Sequence, residues 1–335
     1  MRVLLTGGTG HIGKTTAELL LQKGWDVRIF DVTEKNHISG AEYVQGDIRD
    51  YDNLLKHTKG CDAVIHLAAL AAPSIAPGPK VFDINVTGTF NVFEAAAACG
   101  IGKIAQASSI NALGAYFSVG QIYPQYFPMD EEHPSFTTDP YSFSKQLVEE
   151  IGDYYWRRDG ISSVALRFPG VYTPEGRTTE RYYQDRTALR AILDELVSQP
   201  EAEREARLDE VKKRVMEFRK ERALEFRPPE KQQIKLPYDD LLFRLYMRYR
   251  FDLWAFVDVR DAAQSLEKGI TADYQGSHPL FINATQNALG YDSRTLVRLF
   301  YPEVRHFKTD LADSASLVSI QKAQSLIGFE PEYNS

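Results

Sequence analysis

The apolar run Val3-Leu4-Leu5 leads into a glycine-rich turn, and residues 14–23 then carry apolar side chains at helical spacing. The same alternation, a short apolar run and then a longer amphipathic stretch, repeats along the first two-thirds of the chain. It predicts strands at 25–30, 43–45, 62–67, 103–107 and 162–167, and helices at 51–57, 81–99 and 140–158. The 62–67 run is rich in Ala, Val and Ile, as suits a strand covered on both faces. Strands alternating with helices in this way predict an α/β fold, a doubly wound parallel sheet of the Rossmann type.

The pattern changes after Gly176. Over 180–227 roughly half the residues are charged, with both signs mixed. Leu189, Ile192, Leu193, Leu196 and Val197 still recur near helical spacing, as do Val211, Val215, Met216 and Phe218. One or two long surface helices are expected there, ended by Pro228-Pro229. They read either as a lid or partner-binding arm or as a plain solvated insertion, the usual meaning of mixed charge. Residues 255–268 return to the core pattern, 279–282 form a further strand, and the tail from Ser314 reads as a helix ending at Gly328.

Composition adds exclusions. The 335 residues are 43% hydrophobic and 25% charged, ordinary for a globular chain large enough for a Rossmann domain and a smaller lobe. A net charge of −7 argues against a nucleic-acid surface. It suits an anionic cofactor held by backbone N–H groups. Cys61 and Cys99 make neither a disulfide framework nor a metal site. No apolar run approaches membrane-spanning length. Met1-Arg2 enters the first strand directly, so no signal peptide and no membrane partner are expected, and the expected compartment is the cytoplasm.

The turn itself reads Thr6-Gly-Gly-Thr-Gly-His-Ile-Gly13. Glycines at 7, 10 and 13 permit a sharp turn and let a pyrophosphate approach main-chain N–H groups at a helix N-terminus. Asp31 ends the second strand, 18 positions beyond Gly13. A carboxylate there accepts from the adenosine ribose hydroxyls and repels a 2′-phosphate, so NAD is expected, although Lys35 nearby can tolerate the phosphate. The G-x-x-G-x-x-G spacing resembles the short-chain dehydrogenase/reductase superfamily, and the whole turn is similar to that of its extended branch, the NAD-dependent epimerase/dehydratase family. The resemblance covers residues 1–175 and 254 to the end. It implies that Gly7, Gly10, His11, Ile12 and Gly13 hold the cofactor. It also implies adenine contacts from Asp47 and Ile48, and backbone along the cofactor at Leu67, Ala68 and Ala69. His66 beside them reads equally as a packed histidine. Asn85 matches the family's helix asparagine, grouped with the cofactor residues but expected to act structurally or through a water. Arg167-Phe-Pro-Gly-Val-Tyr-Thr-Pro174 resembles the stretch beside the nicotinamide, which makes Pro169 and Val171 cofactor neighbours.

Tyr141 and Lys145 stand one turn apart at a helix start, on one face. A phenol with pKa about 10 is a poor base near neutrality, and a cation one turn away is expected to lower it. Lys145 can also hydrogen-bond the nicotinamide ribose. Ser108-Ser109 follow the fifth strand, where a hydroxyl can orient the reacting oxygen. Alignment on Gly114 with the family's Ser-Ser-x-x-x-Tyr-Gly places the catalytic hydroxyl on Ser109, with Ser108 as the fallback and turn-capping as the plain alternative. The catalytic set is therefore Ser109, Tyr141 and Lys145, with Tyr141 and Lys145 also touching the cofactor and no metal site.

Departures from the family narrow the activity. Dehydratases carry acids beside the catalytic hydroxyl, where this chain has Ile110 and Asn111. Many sugar-nucleotide epimerases bind the diphosphate through an arginine. Lining up Phe256-Val-Asp-Val-Arg-Asp261 puts Trp254 at that arginine and Asp258 at a histidine. Arg244, Arg248 or Arg250 can substitute. The expectation is hydride transfer at a hydroxyl of a sugar-like small molecule, leaning toward dehydrogenation of a free sugar or sugar acid. A UDP-sugar type 4-epimerase and a catalytically silent NAD-binding protein are the alternatives. The expected organisation is 1–174 as the NAD-binding Rossmann domain with 254–285 returning to it, 175–253 as helical insertion and substrate lobe, and 286–335 completing that lobe. The resemblance also suggests a homodimer through helices around 85–99 and 141–157, for which Phe90, Phe93, Tyr154, Tyr155 and Trp156 are the apolar stock.

Overall fold

The structure, a computed structural model, describes residues 1–33, 38–226, 237 and 239–334; Lys35 and Pro228-Pro229 lie outside them. The first part of the chain runs β1 (Arg2–Thr6), α1 (His11–Gln22), β2 (Asp26–Asp31), β3 (Glu42–Gln45), α2 (Tyr51–Thr58), β4 (Ala63–His66), α3 (Gly78–Phe82), α4 (Gly88–Ala98), β5 (Lys103–Ser109), α5 (Pro140–Asp159), β6 (Ser162–Phe168) and β7 (Gly170–Tyr172). The remainder runs α6 (Pro174–Arg177), α7 (Glu180–Ser198), α8 (Glu201–Glu221), α9 (Leu241–Arg244), β8 (Phe256–Asp258), α10 (Val259–Thr271), β9 (Ser277–Phe281), α11 (Ser293–Phe300) and α12 (Gln321–Ile327).

Seven strands form one sheet in the order β3-β2-β1-β4-β5-β6-β9, and every pairing is parallel. The alternating pleat sorts the core. Val3, Leu5, Ile65 and Ala105 face α1 and α10 and pack with Ala17, Leu20, Ala262 and Leu266. Leu4, Val64 and Ile104 face the other way, onto Leu54, Val92, Phe93 and Tyr155 of α2, α4 and α5. Strand order reverses between β1 and β4, so their carboxyl ends open the crevice in which such sheets bind ligands.

The helix predicted at 81–99 starts earlier, with α3, and reaches α4 through one widened π turn at Asp83–Thr87. That turn carries Asn85, and such π-bulges often mark functional positions. The tail helix is shorter than the prediction and α11 was unforeseen. Pro279 sits in β9, an edge strand, where a missing N–H is tolerated.

A further apolar cluster lies beyond the sheet edge, joining Leu189, Leu193 and Leu196 of α7, Val211 and Val215 of α8, Phe243, Met247, Trp254, Phe300 and Tyr301. The apolar stripe read in 180–227 is thus packed, with Val197 at its exposed margin. The charged residues of this insertion are not all on the solvent face. Arg219 is fully buried and Arg222 nearly so. Arg219 donates to the carbonyls of Tyr116 (3.0 Å), Ala115 (3.2 Å) and Gly120 (2.7 Å), and stacks 3.6 Å over the Phe251 ring. Arg222 adds a 2.6 Å bond to the Tyr116 carbonyl. α8 therefore fastens the loop that follows β5. At the return to the sheet, Leu253 and Trp254 both take positive φ, 55° and 50°, a conformation bulky residues rarely adopt, held there by complete burial.

Arg219→Met takes the charged donor from the Ala115 and Gly120 carbonyls, while Tyr116 keeps Arg222. It is expected to cost at least about 2 kcal/mol in urea unfolding and to expose the 115–120 loop to protease nicking. An unchanged unfolding midpoint would show that the loop stands without α8.

Candidate active site

The glycine turn sits where β1 and β4 diverge. A Cβ on Gly7 would stand 2.6 Å from the Ala68 backbone nitrogen, and Gly7 has φ +71°; a Cβ on Gly13 would stand 2.4 Å from the Gly7 carbonyl oxygen. Both glycines are thus required by the protein itself. Gly10 is different: its Cβ direction meets nothing closer than 3.5 Å. It caps α1, which opens without a side-chain cap and with no acid in its first turn. A bare helix N-terminus behind an open glycine suits an anion approaching the backbone. His11 is exposed and Ile12 half-buried at this opening.

Asp31 is nearly buried, and its carboxylate accepts from the Thr9 hydroxyl (2.8 Å), the Thr9 amide (3.1 Å) and the Thr33 amide (3.3 Å). The acid is pinned against the turn that carries the glycines. Asp47 is held by Arg49 at 2.6 Å, which also binds Asp83 at 2.8 Å; the arginine keeps the Asp47 carboxyl below its usual range. Ile48 is buried against Gly88. Leu67, Ala68 and Ala69 line the end of β4 half-buried, and Pro169 and Val171 flank the end of β6.

Asn85 is tied to the protein's own backbone and side chains. Its Oδ1 accepts from the Leu70 amide at 2.8 Å, and its Nδ2 donates to the Leu70 carbonyl (3.1 Å) and the Ser144 hydroxyl (2.9 Å). Every polar group of the amide is engaged, so Asn85 clips the chain after β4 to α5. His66 is likewise a packed residue. Thr89 donates to the Asn85 carbonyl at 2.6 Å, so its oxygen accepts from His66 Nε2, leaving Nδ1 to accept from Thr6. Burial holds that ring neutral, with its pKa down to about 3.

Tyr141, Lys145 and Ser109 meet at the carboxyl edge of β5, and all three are buried. Ser109 ends β5 and caps the turn Ile110–Leu113, accepting from the Asn111 amide at 3.1 Å. The capping role and the proximity to Tyr141 hold together. Ser108, the neighbour of Ser109 on the strand, points the other way and donates to Glu149 at 2.6 Å. The expectation that Lys145 lowers the Tyr141 pKa is not met in this geometry. Burial raises the phenol to about 12, and only hydrogen bonding with Ser109 pulls it back. The Lys145 amine stands 6.0 Å from the Tyr141 ring centre and donates to the Ala107 carbonyl at 2.7 Å. Burial in turn lowers Lys145 to about 8, with Glu149 opposing.

Two residues escaped the sequence reading. Glu149, one further turn along the Tyr141–Lys145 face, forms a buried pair with Arg167 at 2.8 Å and is the acid nearest Lys145. The i, i+4, i+8 pattern was its signal. Asn111, noted only as a missing acid, places Nδ2 3.3 Å from the Ser109 hydroxyl and accepts from the Phe117 amide at 3.2 Å. Phe117 meets the Tyr141 ring edge-on at 5.3 Å.

A family model matches residues 3–200. The chain belongs to the NAD dependent epimerase/dehydratase family. Over 179 residues it is 38% identical to a putative UDP-glucose 4-epimerase of Methanocaldococcus jannaschii, covering 51% of this chain and 56% of that protein. It is 31% identical over 179 residues to an L-arabinose 1-dehydrogenase (NAD(P)(+)) of Haloferax volcanii, covering 52% and 68%. The chain thus matches between about half and two-thirds of the length of these relatives. A short-chain dehydrogenase/reductase superfamily protein of Agrobacterium tumefaciens, solved with bound NAD, shares the fold with a TM-score of 0.62 at 20% identity, over 99% of this chain and 93% of that one. NAD is the cofactor of the family, and the open Gly10, the uncapped α1 and the pinned Asp31 fit it. Among the described residues no helix is long and apolar enough to cross a membrane.

Trp254 and Asp258 take structural roles. Trp254 is fully buried against Phe300 and Tyr301, and Asp258 caps α10 and pairs with Arg260 at 2.8 Å.

An amine that titrates at about 8 when folded and near 10.5 when unfolded costs stability, fully below pH 8 and progressively less between 8 and 10.5. The penalty is on the order of 3 kcal/mol, against about 1 kcal/mol for the lost bond to Ala107. Lys145→Met is therefore expected to melt above the parent at pH 7, with the gap closing toward pH 10 in circular-dichroism melts. A lower melting temperature at pH 7 would contradict the buried charge.

Proposed function

We propose that this chain is an NAD-dependent oxidoreductase acting on a hydroxyl of a sugar-like small molecule, with a free sugar or sugar acid preferred over a sugar nucleotide. The observation that carries the redox reading is the meeting of the Ser109 hydroxyl with the buried Tyr141 phenol on the Lys145 face of α5. Bound NAD supplies the acceptor for the hydride leaving the alcohol carbon. The residues do the rest. Ser109, steadied by Asn111, orients the substrate oxygen. Tyr141 takes the hydroxyl proton in oxidation and returns it in reduction. At pH 7 the phenol is neutral, so it first gives up its own proton to solvent, and the Lys145 amine, charged below about pH 8, favours the phenolate by turning from the Ala107 carbonyl toward it. Glu149 keeps that charge in place. Oxidation yields a carbonyl, reduced cofactor and one proton. The pinned Asp31 supports NAD over NADP.

The preference for a non-nucleotide substrate rests on Trp254, which is sealed in the core at the position where the family's epimerases carry a diphosphate-binding arginine. The putative UDP-glucose 4-epimerase relative favours the second reading, sugar-nucleotide 4-epimerisation, in which the keto product is held, turned and reduced again.

The purified protein with NAD and a panel of free sugars, sugar acids and UDP-sugars separates the readings. Net NADH is expected with a free sugar or sugar acid. Isomer formation without net NADH supports the epimerase, and NAD binding without turnover supports a silent binder. Tyr141→Phe is expected to lower turnover by at least about a hundredfold while cofactor binding persists. Retained turnover removes Tyr141 from the proton step.

A homodimer through α4 and α5 belongs to the same proposal. Phe93 and Tyr155 are spent on the core, but Phe90 and Tyr154 are 41% and 40% exposed with their rings 6.4 Å apart. Light scattering is expected to give twice the monomer mass, and Phe90→Glu to give the monomer. A parent that runs as a monomer removes this part.

A further inference from the structure

The segment beyond the family match brings several arginines toward the reacting edge, and the structure sorts them. Arg219 and Arg222 are committed to the carbonyls of the 115–120 loop. Arg244 pairs with Asp185 at 3.1 Å. Arg250 is fully buried, donates to the Phe300 carbonyl at 2.9 Å and lies 4.3 Å over the Tyr301 ring. Arg248, in the π turn Leu245–Arg250, is different. It is exposed and makes no ion pair with a described carboxylate. Its neighbours are the phenols of Tyr172, Tyr249 and Tyr116 and the carboxyl of Asp252.

Those neighbours border the reacting side. Tyr172 ends β7, one residue past Val171. The Tyr116 ring stands edge-on to Phe117 at 5.0 Å, and Phe117 stands edge-on to Tyr141 at 5.3 Å. The guanidinium is hydrogen-bonded to the Tyr172 phenol, and Tyr116 and Phe117 continue the wall to Tyr141 on the loop that α8 fastens. The local charge is unbalanced. Burial raises Asp252 to about 7 although Arg248, Arg222 and Arg219 all oppose the rise, so near neutrality the carboxyl carries only part of a charge among three guanidinia.

We propose that Arg248 anchors the negatively charged end of the substrate, a carboxylate or a phosphate, while the hydroxyl to be oxidised faces Tyr141. This rests on the redox reading above and gives the substrate its class, an anionic sugar derivative. A guanidinium fork suits both oxyanions, binding either through two parallel hydrogen bonds. Tyr172 and Tyr116 supply flat apolar walls for the sugar between the two ends. The anion site belongs to the insertion, outside residues 3–200, and so is this chain's own substitute for the family arginine replaced by Trp254.

The test compares the parent, Arg248→Gln and Arg248→Lys with NAD present. The probes are a hexuronate, a hexose phosphate, a UDP-hexose and the matching neutral hexose. NADH formation and calorimetric binding are both read. In the Gln variant the preference for the anionic over the neutral sugar, as a ratio of kcat/KM, is expected to fall about tenfold to a hundredfold, through KM, with partial recovery in the Lys variant. The anion whose preference falls identifies the source as carboxylate or phosphate. An unchanged ratio overturns the proposal. If the parent reduces NAD with none of the sugars, the redox reading fails and calorimetry alone decides. An anion bound by the parent and lost in the Gln variant upholds Arg248, whereas no binding by the parent, or equal binding by both, overturns it.

Discussion

A side chain at residue 7 would have to stand 2.6 Å from the backbone of Ala68, and that close approach governs much of the molecule. It lets β1 and β4 separate at their carboxyl ends while their backbones stay in touch. α1 then starts directly behind the turn. The Thr6 hydroxyl, just before the turn, binds His66, His66 binds Thr89, and Thr89 binds the carbonyl of Asn85. Asn85 grips α5 through Ser144. One line of short bonds therefore runs from the glycine turn to the helix of Tyr141 and Lys145, so the two share a single reference frame.

The same region holds a charge at a cost. Lys145 is buried with only a carbonyl for a direct partner, and the Glu149–Arg167 pair beside it is nearly as buried. An apolar residue at 145 would pack more comfortably there. Such placement of ionisable groups against their solvation preference is typical of sites that move protons. The phenol is likewise pushed away from ionisation, so near neutrality Tyr141 rests protonated while the Lys145 amine still carries its charge.

The sheet was legible because its signal is local. A buried strand of a parallel sheet is a short apolar run, and its crossover helix shows a 3.6-residue period; both are visible in 335 letters. The proposed trio was legible as a motif, and the structure sets Ser109 beside Tyr141 and Ser108 on Glu149 because a strand sends neighbours to opposite faces. The widened turn at Asn85 was not legible, since nothing in the sequence around residue 85 distinguishes a π turn from an α turn. The burial of Arg219 was not legible for a related reason. In a run of mixed charges, an arginine that donates to backbone carbonyls looks the same as one in water, because its partners are main-chain atoms that every residue possesses. The Lys145 effect on Tyr141 failed because spacing gives a shared face but not the direction in which an amine points.

The two guanidinium bonds that Arg219 of α8 and Arg222, just past it, make to the Tyr116 carbonyl separate two tasks along the chain. The residues proposed to exchange protons lie on α5 and β5, whereas the loop facing them is held by arginines about a hundred residues later in the chain. Changing the sequence of the insertion would remould the wall opposite the phenol and leave the proton machinery intact. Under that division, new specificities could be explored by exchange of one segment, in evolution or at the bench, with the electron-transfer chemistry inherited unaltered.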